Sequence, residues 1–250
     1  MPFSYFGSKA KLWKYYSKPH YDTIIEPFCG AANYSIHYYD RDVWINDLWK
    51  PVIEIWRWIQ QASKQDVKSL PELKYGERLS NIKSISSEER LLLRMCLSCG
   101  NCDESHDKMS KWAAGIRSKP RPNSHRSKDP SQIERTKRNI LKIVGKISHW
   151  KITNLDYSEL PNKQATWYVD PPYKSRGAKY KKGSKNLNYK KLGEWCLQRK
   201  GQIIVCECEP ARWLDFVALR LTGMVNQNKN RYHEVVFERS EKKVGLLELL

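Results

Sequence analysis

The sequence predicts an α/β fold, in which a mostly parallel sheet is flanked by helices and carries a small, mainly helical inserted lobe. Short β-branched and aromatic runs at 23–25, 43–45 and 165–169 each lead into a polar or acidic residue. Apolar runs of this length are typical of buried parallel strands. Helical patterns follow the first two runs, and the alternation then stops over 60–142, which predicts the insertion.

The composition excludes a disordered chain, because 40% of the 250 residues are hydrophobic and ten are tryptophan. No apolar run is long enough to span a bilayer, and no basic segment followed by an apolar one opens the chain. The seven cysteines are scattered, which favours reduced thiols over a disulfide framework. We therefore expect a cytoplasmic protein that contacts no membrane and has no obligate protein partner.

The formal net charge of +18 is concentrated in two segments. Residues 111–142 hold ten lysines and arginines against two acidic residues, a net charge of +8. Residues 174–200 hold ten against one, a net charge of +9, with Tyr180 and Tyr189 among the lysines. Solvated surfaces are the alternative explanation, but this clustering favours a polyanion such as nucleic acid as the partner.

The motif Asp170-Pro171-Pro172-Tyr173 directly follows the run 165–169. Neither proline has a backbone N–H, and both restrict φ, so the strand must stop and a rigid loop must follow. We expect carbonyl oxygens that no local donor takes, beside a carboxylate and an aromatic ring. This set suits the exocyclic amino group of a nucleobase, which would donate to Asp170 and a proline carbonyl while Tyr173 stacks on the base. For the tetrapeptide alone, the alternative is a proline turn that has no catalytic role.

A strand, a turn of small residues and a helix are predicted at 23–39. Glu26 and Pro27 end the strand, Gly30-Ala31-Ala32 forms the turn, and the helical pattern continues through Tyr39. This arrangement is typical of the nucleotide-binding half of a Rossmann-like fold. Ala32 stands where the second glycine of such a turn is usual, and alanine is strained at a positive φ that glycine tolerates.

Asp47 ends the second predicted strand, roughly twenty residues beyond the turn, where Rossmann-like folds place the acid that binds ribose hydroxyls. An Asx cap on the helix that begins near Pro51 is the alternative. We favour the ribose role, because both the order and the spacing of the motifs agree with it.

Together these motifs resemble the Dam-like (D12 class) N6-adenine DNA methyltransferases, including their bacteriophage members. The resemblance rests on Glu26-Pro27-Phe28-x-Gly30, Asn46-Asp47 and Asp170-Pro171-Pro172-Tyr173, in the family's order. It implies a methyltransferase core that binds S-adenosylmethionine and methylates N6 of an adenine flipped out of double-stranded DNA. The catalytic residues would then be Asp170, Pro171, Pro172 and Tyr173.

The resemblance also implies a set of cofactor-binding residues. The N-terminal sequence Tyr5-x-Gly7-x-Lys9 is similar to the family's first motif, whose lysine can meet the carboxylate of the cofactor. The acid that ends the predicted strand at 151–155 would face the cofactor's adenine. The full set is Tyr5, Gly7, Lys9, Glu26, Pro27, Phe28, Gly30, Asp47, Asp156 and Asp170.

Members of the family insert a target-recognition region between the cofactor and catalytic motifs. We therefore expect 1–57 and 143–250 to form the catalytic core and the basic insertion 58–142 to bind DNA. Its mobile basic loop and a cationic helix over 131–144 supply part of the contact. The predicted DNA-binding residues are Lys119, Arg121, Arg126, Lys128, Arg135, Lys174, Arg176, Tyr180, Lys181 and Lys182.

Cys96, Cys99, Cys102 and His106 have a spacing that zinc or an iron–sulfur cluster could use. They form a single cluster, and the family requires no metal. We therefore expect no metal ion, with packing as the role of these cysteines.

Other functions are compatible with the same residues. The catalytic loop suits cytosine N4 as well as adenine N6, and a basic surface binds RNA as well as DNA. A degenerate methyltransferase fold that only binds DNA is the non-enzymatic alternative, and Ala32 is its one support. A role in restriction–modification would add a cognate restriction enzyme as a functional partner.

Overall fold

The computed structural model describes residues 1–5, 12–98, 100, 102, 105–116, 129–175, 184–219 and 233–241. The chain divides into two compact units. The first, Lys9–Trp49 with Trp150–Leu250, contains the sheet and is called here the sheet unit. The second, Met1–Ser8 with Lys50–His149, contains four α-helices in its described part and is called the helical unit.

The sheet unit is organised by seven strands in the order β3-β2-β1-β4-β5-β7-β6. Strands β1 to β5 are parallel to one another, and β7 runs antiparallel to β5 and to β6. The predicted α/β fold with a mostly parallel sheet is therefore confirmed. The strands are β1 (Thr23–Glu26), β2 (Asp42–Asn46), β3 (Lys151–Thr153), β4 (Ala165–Val169), β5 (Gly201–Cys208), β6 (Val217–Ala218) and β7 (Glu234–Ser240).

The central strands β4 and β5 are buried along their whole length, as parallel strands covered on both faces are. On one face Trp167 and Ile203 pack in a core with residues of helix α5 (Tyr189–Leu197), which connects β4 to β5. The side chain of Asn188 caps this helix by accepting a hydrogen bond from the Lys191 N–H at 3.1 Å. Helix α5 is not among the predicted elements, because the lysines of 174–200 indicated a charged surface rather than a helix.

The helical pattern after the glycine turn is realised only as a short 3-10 helix, Ser35–Tyr38. The segment 33–39 consists of asparagine, serine, histidine, isoleucine and three tyrosines, all of lower helix propensity than alanine or leucine. The predicted α-helix there is wrong in type, although the strand, turn and second strand are present.

The helical unit consists of α1 (Lys50–Gln61), α2 (Lys64–Ser69), α3 (Ser87–Leu97) and α4 (Gln132–Ile140) in its described part. Capping boxes begin α2 at Ser63 and α3 at Ser86. Helix α4 ends four residues before the predicted end at 144. A core that includes Leu93, Cys96 and Ile133 lies between these elements. In the described part of the chain, no helix combines the length and the apolar character needed to cross a membrane.

Gly201 indicates how closely the sheet is packed at its amino edge, and Gly145 in the helical unit serves as the comparison. Gly201 and Gly145 both have a positive φ, of 97° and 78°. A Cβ on Gly201 would lie 2.3 Å from the backbone oxygen of Ala165, whereas a Cβ on Gly145 would meet nothing within 4 Å. We expect Gly145→Ala to lower the free energy of unfolding by about 1 kcal/mol through backbone strain alone.

For Gly201→Ala we expect a further loss of about 3 kcal/mol, because β4 and β5 must separate to admit the methyl group. Chemical denaturation of both variants measures the difference. Equal losses of unfolding free energy in the two variants would show that β4 and β5 do not pack closely at Gly201.

Candidate active site

The site lies where the strand order reverses, at the carboxyl ends of β1 and β4. These neighbours pair in parallel, with Ile25 opposite Trp167. From β1 the chain continues outward to β2 and β3, and from β4 it continues the other way to β5. Open α/β sheets bind their ligands in the crevice at such a switch point. Glu26, the last residue of β1, and Asp170, which follows β4, lie at this edge, where the charge of Asp170 contributes to raising the pKa of Glu26.

Asn46 holds two loops of the sheet unit to the end of β2. It is fully buried at the end of β2. Its Nδ2 donates to the carbonyl oxygens of Pro27 at 3.1 Å and Leu155 at 3.0 Å. Its Oδ1 accepts hydrogen bonds from the Leu155 N–H at 3.0 Å and the Thr153 hydroxyl at 2.8 Å. The loops after β1 and β3 are thereby fixed to the end of β2.

Asp47 fixes the glycine turn by accepting backbone hydrogen bonds. One carboxylate oxygen accepts from the Gly30 N–H at 3.0 Å, and the other accepts from the Trp49 N–H at 2.9 Å. The second contact is the Asx interaction that we considered as the alternative role. Burial raises the pKa of Asp47 to about 6, which leaves it mostly ionised at neutral pH. A carboxylate has about four acceptor positions, so these two bonds are compatible with a ribose contact as well.

The turn itself has two residues with positive φ, Gly30 at 45° and Ala32 at 46°. Ala32 therefore adopts the conformation for which a second glycine is usual, at the steric cost that its Cβ imposes there. It is the one non-glycine residue with a positive φ in the described part of the chain.

Glu26 is buried at the end of β1 and accepts a hydrogen bond from the Ser35 N–H at 2.6 Å. Burial raises the pKa of this carboxyl to about 8, and the charge of Asp170 acts in the same direction. Glu26 is therefore mostly protonated at neutral pH, and its observed contact stabilises the 3-10 helix that follows the turn.

The loop 170–173 emerges from β4 with Pro171 buried and the other three residues partly buried. The hydroxyl of Tyr189 on α5 donates to the carbonyl oxygen of Pro172. The donor lies 17 residues further along the chain, so the contact is compatible with the expectation that no local donor takes the proline carbonyls. The hydroxyl of Tyr173 donates to Glu234 Oε2 at 2.6 Å, so the ring is anchored from β7.

Asp156, expected near the cofactor, accepts hydrogen bonds on Oδ1 from both the N–H and the hydroxyl of Ser158, at 3.0 and 2.5 Å. It caps the 3-10 helix Tyr157–Glu159. The Tyr157 ring lies 5.4 Å from the ring of Phe28, with both residues partly buried. Aromatic side chains therefore line the loops after β1 and β3.

The remaining predicted site residues are spread over both units. Tyr5 is partly buried in the helical unit. Arg135 is exposed on α4 and lies 3.8 Å from Asp129 as an ion pair, and Lys174 is exposed after the catalytic loop. The residues outside the described part are Gly7, Lys9, Lys119, Arg121, Arg126, Lys128, Arg176, Tyr180, Lys181 and Lys182.

Two residues of the basic segment 174–200 have structural roles that charge counting missed. Arg199 is 7% exposed, and its guanidinium lies 4.3 Å from the ring centroid of Trp195 and donates to the Leu160 carbonyl. Tyr189 is buried on α5. Neither is available to a nucleic acid. Lys190 and Lys191 on the same helix are exposed.

The cysteines of the predicted cluster make separate contacts. Cys96 is buried, and its sulfur lies 3.3 Å from the Thr136 hydroxyl, while the Cys102 sulfur lies 3.6 Å from the Leu91 carbonyl. Burial raises the pKa of Cys96 to about 12. Cys99 is outside the described residues, and among those described no group of three metal-ligating side chains converges.

A doubly wound sheet with an acidic loop at its switch point is typical of α/β proteins that bind nucleotides. Residues 5–194 of the 250-residue chain match the family of D12 class N6 adenine-specific DNA methyltransferases. The chain therefore belongs to this family, as the motifs predicted, and is a methyltransferase of the kind that acts on adenine in DNA. A comparison with curated proteins found no match.

The raised pKa of Glu26 predicts how stability depends on pH. Between the ordinary pKa of a glutamate and about 8, the folded chain keeps a proton that the unfolded chain has released. The free energy of unfolding should therefore fall as pH rises from 5 to 8, with a contribution from Glu26 of up to about 1.4 kcal/mol per pH unit.

Glu26→Gln keeps an oxygen for the Ser35 N–H without a titratable proton, so the fall between pH 5 and 8 should become smaller. Urea denaturation at several pH values in this range measures the fall in the free energy of unfolding. Glu194→Gln, at an exposed position of α5, is the charge-matched control. A wild-type slope in Glu26→Gln would show that Glu26 is already ionised at pH 5.

Proposed function

We propose that this protein transfers the methyl group of S-adenosylmethionine to N6 of an adenine flipped out of double-stranded DNA at a specific site. The observation that carries this proposal is the position of the Asp170–Tyr173 loop at the switch point, next to the turn that follows β1. Family membership supports adenine methylation of DNA, and a switch point is where open α/β sheets bind their ligands.

The turn after β1 fits a nucleotide-like cofactor. Positive φ at Gly30 and Ala32 bends the backbone sharply, and Asp47 and Asn46 fix the bend from below. The residues that we propose to hold the cofactor here are Phe28, Gly30, Asp47 and Asp156, with Glu26 and Pro27 behind them. Tyr5, Gly7 and Lys9 remain proposed contacts from the N-terminal motif. S-adenosylmethionine, when bound, supplies an electrophilic methyl group on a sulfonium.

The catalytic loop has acceptors suited to an amino group. The Pro172 carbonyl accepts a hydrogen bond from Tyr189, and we assign Asp170 and the Pro171 carbonyl to accept from the N–H groups of adenine. By accepting these hydrogen bonds they place N6 and increase its electron density, while Tyr173 stacks on the base. Positioning is thus the main contribution of the chain. An adenine inside a duplex cannot reach this loop, so base flipping is part of the proposal.

We propose that DNA is bound through the basic insertion 58–142 and the basic segment 174–200, around a core formed by 1–57 and 143–250. The exposed cations Arg135, Lys174, Lys190 and Lys191 support this assignment in the described residues. Phosphate contacts of this kind position a duplex without reading its sequence, and base contacts from the insertion would supply site preference.

The proposal predicts that Asp170→Ala lowers methyl transfer by about 1,000-fold or more, because an acceptor needed at the reacting amino group is lost. The melting temperature should change little, since Asp170 lies after β4 and is only partly buried. Asp215→Ala, which removes an exposed acid of the sheet unit, is the control. The assay incubates unmodified genomic DNA with S-adenosylmethionine and maps the modified bases by sequencing.

Turnover of Asp170→Ala close to that of the wild type would contradict the catalytic assignment. Methylation found on cytosine N4, or on RNA but not DNA, would redefine the substrate. A wild-type protein that binds DNA but neither binds nor uses the cofactor would establish the degenerate alternative.

Phosphate contacts predict a steep fall of DNA affinity with salt, because each neutralised phosphate releases condensed counterions. Arg135→Gln and Lys191→Gln should each lower affinity and reduce the salt slope by about one unit. Lys191→Gln should also lower turnover at saturating DNA if 174–200 helps to capture the flipped base. Lys18→Gln, at an exposed position outside both the insertion 58–142 and the segment 174–200, is the control. An affinity independent of salt would remove the basis for this assignment.

A further inference from the structure

Two acidic residues that no motif includes contact the catalytic loop. Glu207 is the penultimate residue of β5, and Glu234 is the first residue of β7. They are close in the sheet, because Glu207 pairs with Val235 and Cys208 pairs with Glu234 in the antiparallel ladder. Both lie beyond residue 194, where the family match ends. Their partners are successive residues of the chain, Tyr173 and Lys174.

Glu207 is 0% exposed, and its carboxylate accepts three hydrogen bonds from N–H groups. Oε2 accepts from the Lys174 backbone N–H at 3.1 Å and from the Trp213 indole N–H at 3.0 Å. Oε1 accepts from the Cys208 N–H at 3.0 Å. An ionisable group is rarely placed in a buried strand without a specific partner, because its desolvation is costly. Here the partners tie the end of the catalytic loop to β5.

The two prolines explain why this anchor comes after the motif. Pro171 and Pro172 have no N–H, so they cannot be held by an acceptor on a neighbouring strand. The loop is instead held through the Pro172 carbonyl by Tyr189, through the Tyr173 hydroxyl by Glu234, and through the Lys174 N–H by Glu207. Three consecutive residues are thus fixed from α5, β7 and β5, directly after the two residues that face the substrate.

We propose that Glu207 and Glu234 are positioning residues, which fix the Asp-Pro-Pro-Tyr loop in its catalytic geometry before the base enters. Glu207 sets the path of the backbone, and Glu234 sets the orientation of the Tyr173 ring. The inference rests on the proposed function of the loop. A methyl transfer of this kind requires that the reacting groups are held to within a fraction of an ångström. A misplacement of about 1 Å can lower the rate about 100-fold.

A purely structural role for Glu207 makes a different prediction. Loss of a buried acid that only stabilises the sheet would lower thermal stability and all activities in parallel. Loss of a positioning residue should lower kcat at saturating DNA and cofactor while leaving cofactor affinity unchanged, since the turn after β1 is held separately by Asn46 and Asp47.

The first test is Glu207→Gln. The glutamine side chain offers one oxygen where glutamate offers two, so either the Cys208 N–H or the Lys174 and Trp213 donors lose their acceptor. We expect kcat to fall by about 100-fold, with the cofactor dissociation constant from calorimetry within about twofold of wild type. Asp215→Asn, which removes the charge of an exposed acid outside both basic segments, should leave kcat unchanged. Trp213→Phe, which removes one donor and keeps Glu207, should give a smaller fall in kcat.

The second test concerns Glu234. Glu234→Gln keeps an oxygen that accepts from the Tyr173 hydroxyl, whereas Glu234→Ala does not, so the glutamine variant should retain most of the turnover that the alanine variant loses. Combining Glu234→Ala with Tyr173→Phe should cost little more than either change alone, because both remove the same hydrogen bond. Additive losses would overturn the role of Glu234.

Hydrogen exchange of the Lys174 amide tests the anchor without any methylation assay. The amide should be protected in the wild type and exchange faster by about tenfold or more in Glu207→Gln. Unchanged exchange, a kcat of Glu207→Gln equal to wild type, or a parallel loss of cofactor affinity would each overturn the inference. A wild-type protein with no methylation of adenine in DNA would instead overturn the proposed function, and the Lys174 amide would still decide whether Glu207 anchors the loop.

Discussion

The active-site edge of this protein depends on one type of interaction, a buried side-chain oxygen that accepts the N–H of a loop. Asn46 accepts from the loop after β3, Asp47 from the glycine turn, Glu26 from the 3-10 helix and Glu207 from the catalytic loop. Loops at the end of a sheet have no neighbouring strand to supply acceptors, so the strand ends supply them through side chains. Each loop of the site is thereby fixed to the sheet.

Burial of carboxyl groups at this edge disfavours their charged forms, and their raised pKa values reflect this cost. Burial raises the pKa of Glu26 to about 8 and that of Asp47 to about 6. Glu26 is mostly neutral at pH 7, so it adds little negative charge beside Asp170. Asp47 is mostly ionised and remains a strong acceptor. Two acids at adjacent strand ends therefore differ in charge at neutral pH, since Glu26 is mostly neutral and Asp47 is mostly anionic.

The sequence allowed the sheet, the glycine turn and the loop after β4 to be predicted, because each depends on local chemistry. Prolines must end β4, small residues must form the turn, and apolar runs must become buried strands. Helix α5 was missed although Tyr189, Leu192 and Cys196 have helical spacing, because the lysines between them dominated the interpretation. Charge counting also included Arg199 in a segment predicted to contact nucleic acid, whereas it is buried against Trp195. Which cation packs on an aromatic ring depends on tertiary contacts that spacing does not encode.

The acid Glu207 illustrates the same limit and also a signal that was available. Its partners lie 33 residues back on Lys174 and six residues ahead on Trp213, so no local pattern connects them. A glutamate within the apolar run 201–208 is nevertheless unusual, since charged residues are rarely buried without a partner. The motifs of this chain already place a proline-rich loop at the end of the adjacent strand β4. The two prolines have no N–H group to donate. A buried acid on β5 can therefore accept from an N–H group that follows them in the chain.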